Sequence, residues 1–115
     1  MATNARSLER RIEHIKQQLA LLGDLRPGSL SEQYNVCGNP ACRCKADPPQ
    51  KHGPYYQLSW TRKRKSRTKF VGRAELANVQ AQRKNYQRLQ ELVDEWIELA
   101  IELSDIKLKE TKSSS

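Results

Sequence analysis

Cys37-Gly38-Asn39-Pro40-Ala41-Cys42-Arg43-Cys44, followed by His52, is the stretch on which the fold turns. Its spacing, C-x4-C-x-C-x7-H, gathers four soft or borderline ligands within sixteen residues. Zinc favours tetrahedral thiolate and imidazole donors. Gly38 permits a tight turn beside the first thiolate, Asn39-Pro40 completes it, and Arg43, Lys45 and Lys51 lower the cost of ionised thiols. Four protein ligands close the sphere against a catalytic water, so the expected Zn2+ is structural. Asp47 is the alternative to His52 as fourth ligand. The blander readings are three ordinary loop thiols or a redox pair, but a C-x-C without the C-x-x-C helix-start context is a weak oxidoreductase signal.

A metal also meets a need of the composition. Only 37% of the 115 residues are hydrophobic and 30% are charged, so a large core cannot be assembled from this inventory. No apolar run approaches the roughly 20 residues that span a bilayer, and MATNARSLERR lacks the apolar stretch of a signal peptide. A cytoplasmic protein is expected. An odd number of thiols crowded into one stretch of a reducing compartment favours metal over disulfides.

Outward from the cysteines, the pattern predicts a small zinc-stabilised α+β domain. Residues 1–23 hold an N-terminal helix over Ser7–Leu22, because Leu8, Ile12, Ile15, Leu19 and Leu22 alternate spacings of four and three. Ser7 is the expected N-cap and Gly23 the C-cap. Residues 24–54, which contain all the cysteines and most of the prolines and glycines, read as an irregular zinc-binding loop. Residues 55–73 turn to period two and read as a β-hairpin with a loop over Thr61–Lys65. Tyr56, Leu58, Trp60 and Phe70 should face inward, with Tyr55, Gln57, Arg67 and Lys69 on the other face.

Residues 74–110 lack Pro and Gly, and Val79, Tyr86, Val93 and Ala100 repeat every seven residues beside Leu89, Trp96 and Leu103. This predicts a long helix of about 50 Å that forms an antiparallel stem with the first helix. Part of its apolar stripe outruns helix one, which points to a homodimer through the helices. Residues 111–115 should be a disordered tail.

The net charge of +8 is concentrated. From Pro48 to Ala74 there is no acidic residue, whereas Lys51, Arg62, Lys63, Arg64, Lys65, Arg67, Lys69 and Arg73 are all basic. Elsewhere thirteen basic residues face thirteen acidic ones. A charge run is usually just a solvated surface. Six cations within Arg62–Lys69, however, repel one another enough that a polyanion is the natural partner. A two-stranded ribbon fits a DNA major groove, so DNA is favoured over RNA, and Tyr55, Gln57 and Arg73 join the cations as candidate contacts.

Gly28-Ser-Leu-Ser-Glu-Gln-Tyr-Asn-Val-Cys-Gly-Asn-Pro-Ala-Cys-Arg-Cys44, with Lys51-His-Gly-Pro-Tyr-Tyr56 and Val93-Asp-Glu-Trp96, resembles an uncharacterised family of short bacterial and archaeal proteins. Members often lie beside transposase genes, which implies a mobile-element context. No paired carboxylates, nucleophile with a base, or phosphate-cradling glycine loop points to an enzyme, and no membrane or small-molecule substrate is implied. The expectation is a zinc-containing, DNA-binding accessory or regulatory protein. An RNA-binding protein or an adaptor working through its helices are the alternatives.

Overall fold

The structure, a computed structural model, describes residues 4–113. Its order is α1 (Ala5–Ala20), β1 (Ser29–Asn35), a 3-10 turn (Arg43–Lys45), β2 (His52–Arg62), β3 (Lys65–Val71) and α2 (Leu76–Ser113). The fold is α+β, with an antiparallel sheet ordered β1-β2-β3. Residues 26–83 form one compact unit, while those up to 25 and from 84 onward form another. Among the described residues no helix is long and apolar enough to cross a membrane.

β1 is a strand that the period-two reading does not find, since it expects loop throughout 24–54. Ser29–Asn35 offers only Leu30 and Tyr34 as large apolar side chains, too few for its own alternation to stand out. Pairing supplies what propensity does not: Leu30 lies opposite Leu58, and the strand occupies the free edge of β2.

The hairpin exists, but its register differs from expectation by one residue. Lys63 and Arg64 adopt left-handed backbone, with φ of 52° and 64°, and close a two-residue turn of the kind that matches strand twist. Trp60 therefore pairs with Arg67, Leu58 with Lys69 and Tyr56 with Val71. A five-residue loop at Thr61–Lys65 would instead have put Tyr56 opposite Phe70. Because side chains alternate with period two, a slip of one residue exchanges faces. Val71 thus turns inward, while Phe70 is 67% exposed beside Gln57. Leu58, Val71 and Val79 are buried, flanked by Leu30, Tyr56, Trp60 and Leu76, so the first turns of α2 cover one sheet face. Arg26 stacks over Trp60 at 4.7 Å.

In the helical unit, Leu8, Ile12 and Ile15 of α1 form a core with Leu92 and Leu99 of α2, joined by Trp96, Leu103 and Ile106. The helices run antiparallel: Lys107 Nζ lies 3.7 Å from Glu9 Oε1, Lys16 lies over Trp96, and Arg88 donates to Gln18 Oε1. The α2 seam is Leu92-Trp96-Leu99-Leu103-Ile106, a stripe one residue out of phase with Val93 and Ala100. That phase buries the larger side chains. At the start of α1, Asn4 rather than Ser7 is the N-cap, its Oδ1 accepting from the Ser7 amide at 2.8 Å. The helix stops at Ala20 with Leu21 as C-cap, and Gly23 is not in the left-handed region. Helix α2 continues through Ser113 into the segment expected to be a disordered tail, whose last two residues lie outside the described residues.

Candidate functional site

The pairing of β1 with β2 builds the cysteine cluster. Asn35 lies opposite His52 at the end of the ladder, after a register shift between Gln33 and Asn35. Cys37, two residues beyond β1, is thereby brought to the first residue of β2. Between them the chain folds back in tight turns. The Asn39 side chain accepts from the Ala41 amide at 3.0 Å, the Cys42 amide donates to the Asn39 carbonyl at 3.1 Å, and the Gln50 amide donates to the Arg43 carbonyl at 3.1 Å.

The result is a four-residue donor group. One ligand atom each from Cys37, Cys42, Cys44 and His52 lies within 4.8 Å of all the others. Cys37 Sγ is 3.6 Å from Cys44 Sγ, and Cys42 Sγ is 3.2 Å from His52 Nε2. A tetrahedral ion with metal–sulfur bonds of about 2.3 Å needs sulfurs about 3.8 Å apart, so the group is close enough to hold a metal ion. Asp47 is not among these residues.

The electrostatics of the cluster are uneven. Cys42 is held at about 6 against an ordinary 9.0, chiefly by the Cys44 backbone amide, with help from the Cys44, Cys37 and His52 side chains against desolvation. For Cys44 the largest influence, the Cys37 amide 3.4 Å from its sulfur, favours the thiolate. Desolvation together with the neighbouring Cys42 and Cys37 thiols outweighs it, and the Cys44 thiol is pushed up. One preformed thiolate beside a buried thiol is a donor set on which an incoming cation displaces protons.

The basic residues distribute differently from expectation. Arg62, Lys65, Arg67 and Lys69 share one sheet face with Leu58 and Trp60, and Lys63-Arg64 form the turn. Tyr55 and Gln57 lie on the opposite face with Phe70, not with Arg67 and Lys69. Every residue from Thr61 to Phe70 is exposed, as is Arg73 in the β3–α2 connection. Because β1 pairs only as far as Ser59, the pairs Trp60–Arg67, Thr61–Ser66 and Arg62–Lys65 form a two-stranded tip.

A further group escaped the sequence reading. Ser29, Ser59 and Thr68 lie side by side across the three strands, with Thr61 Oγ1 2.9 Å from Ser66 Oγ one row closer to the turn. The alternation of hydroxyls at 59, 61, 66 and 68 was the available signal, overshadowed by the cations between them. No curated protein and no solved structure gives a significant match. A family model does: the chain belongs to the family described as a domain of unknown function, DUF6788, which matches residues 5–81 and so takes in α1, the cysteine cluster, the whole sheet and the start of α2.

Proposed function

We propose that this chain is a non-enzymatic DNA-binding accessory or regulatory protein, in which a structural zinc ion at Cys37, Cys42, Cys44 and His52 fixes the basic hairpin. Three sulfurs and an imidazole nitrogen without oxygen donors suit zinc better than magnesium, calcium or manganese. With all four positions taken by protein, the ion's part is to tie the end of β1 to the start of β2, closing residues 36–51.

The observation that carries DNA binding is the two-stranded tip. Arg62, Lys63, Arg64, Lys65 and Arg67 crowd an exposed ribbon only two strands wide, a shape that enters the major groove of a duplex. Phosphate neutralisation releases counterions, so affinity should fall steeply with salt. Substituting Arg64, Lys65, Arg67 and Lys69 together by Gln should weaken duplex binding and reduce the slope of log affinity against log salt by about 3 to 4. An unchanged slope would remove the hairpin from the binding surface. Competition between duplex DNA and structured RNA at one salt concentration separates the two polyanions, and tighter RNA binding would reverse the preference.

The protein acts as a homodimer in this reading, because Ile97, Ile101 and Leu108 of α2 are half or more exposed at near-helical spacing. A mobile-element setting is the biological context that the family resemblance favours.

A further inference from the structure

The sheet face away from Val79 and Leu76 is unusual for a strongly basic segment. Its residues from Ser29–Gln33, Tyr55–Thr61 and Ser66–Phe70 include no charged side chain at all, since Glu32 and the cations fall on the other parity. It carries instead two exposed rings, a hydrogen-bonded amide pair and the row of hydroxyls. Tyr55 is 44% exposed and Phe70, the one phenylalanine of the chain, is 67% exposed. Gln33 Nε2 donates to Gln57 Oε1 beside them.

Tyr55 and Phe70 are diagonal neighbours across β2 and β3, since Gln57 is the direct partner of Phe70. Such positions stand about 7 Å apart. That is within reach of aromatic side chains, so a single planar base can contact both. Both residues line one cleft of ≈ 250 Å³ at the end of the hairpin, together with Pro54, Arg73 and, from the other parity, Tyr56 and Val71. Toward the tip, Ser29, Ser59, Thr61, Ser66 and Thr68 line a second cleft of ≈ 540 Å³ that Trp60 and Arg67 of the other parity also border.

From this arrangement we infer that the uncovered sheet face binds single-stranded DNA, with an unpaired base stacked on Tyr55 and Phe70 and the sugar-phosphate backbone running along the hydroxyl row. The inference rests on the nucleic-acid reading of the hairpin and adds the strand state. Exposed rings can stack only on a base that is not already stacked and paired, so this face discriminates against duplex. Hydroxyl donors contact phosphate oxygens without fixing a sequence. The face holds no carboxylate to repel phosphate, and the cations nearest it, Arg67 and Arg73, line the two clefts, which favours a polyanion over an acidic or a mixed-charge protein partner.

The test uses the zinc-loaded full chain with two probes at one salt concentration, an oligothymidylate and a blunt-ended duplex of equal length. Replacing both Tyr55 and Phe70 by Ala should lower oligothymidylate affinity at least about tenfold and leave duplex affinity within about twofold. Phe70→Trp, which keeps a stacking ring, should bind the oligothymidylate as the native chain does. A 2-aminopurine base in the single strand should lose its fluorescence on binding the native chain and keep it with the double variant. Because both rings are exposed, both variants should retain their metal and their thermal transition. Single-strand affinity unaffected by the double substitution, or lost in parallel with duplex affinity, overturns the inference. So does a shift from dimer to monomer in sedimentation with Phe70→Ala, which would make this face a contact between copies of the chain. Duplex binding without single-strand binding overturns the inference alone and leaves the basic tip standing. If neither probe binds, both readings fall.

Discussion

Gly53 sits where no side chain can. Its φ is 145°, and a Cβ there would lie 2.8 Å from the Gln33 carbonyl oxygen of the neighbouring strand. Since Gly53 follows His52 directly, any shift that relieves the clash moves a candidate ligand. Gly53→Ala should therefore cost more than about 1 kcal/mol in denaturant unfolding and weaken metal binding in the same protein. The thiols set a second expectation. A cation needs thiolates, so affinity rises with pH wherever a proton must still be displaced. Above about pH 6 Cys42 is already ionised and Cys44, pushed up, still carries a proton that metal must displace. Below pH 6 Cys42 adds its own proton, so log affinity against pH, measured by chelator competition, should steepen by about one proton there. Packing residues separate as cleanly: Leu58, fully buried, should lose about 2 to 5 kcal/mol on replacement by Ala, whereas exposed Phe70 should lose little.

At the scale of elements, the β2–β3 turn brings stability and charge into conflict. Left-handed backbone at a non-glycine residue costs about 1 to 2 kcal/mol, and both Lys63 and Arg64 adopt it. Replacing the pair with Asn-Gly, the sequence such turns favour, should raise the melting temperature while lowering duplex affinity through the loss of two cations. A variant that gains stability and keeps its affinity would exclude the turn from the DNA contact. The same turn explains what could be read from the sequence. Cys37, Cys42, Cys44 and His52 were legible because ligand type and spacing are local properties, and α1 because Leu8, Ile12 and Ile15 repeat without interruption. The hairpin was legible as an element, but not its register, since Lys63-Arg64 carries none of the Asn or Gly that advertise a two-residue turn. One residue of register moved Phe70 out, Val71 in, and Arg67 and Lys69 away from Tyr55. Strand β1 stayed hidden because its stability comes from β2, which lies more than fifteen residues further along the chain.

For the molecule as a whole, two small cores stand where the composition allows no large one. One is Leu58, Val71 and Val79 on the sheet, and the other is Leu8, Ile12, Ile15, Leu92 and Leu99 between the helices. Each is small enough to need support beyond apolar burial. For the helices the proposed support is a second copy of the chain: if so, Ile97→Lys with Ile101→Lys should convert a dimer to a monomer in sedimentation, and a native chain already monomeric at high concentration would contradict the dimer. For the sheet the proposed support is a metal held by Cys37, Cys42, Cys44 and His52, which lie close enough to bind one. Native mass spectrometry of the chain purified without chelator measures it directly. One zinc per chain is the expected result, absent from Cys42→Ser. A native chain with the mass of the bare polypeptide and three free thiols would contradict it.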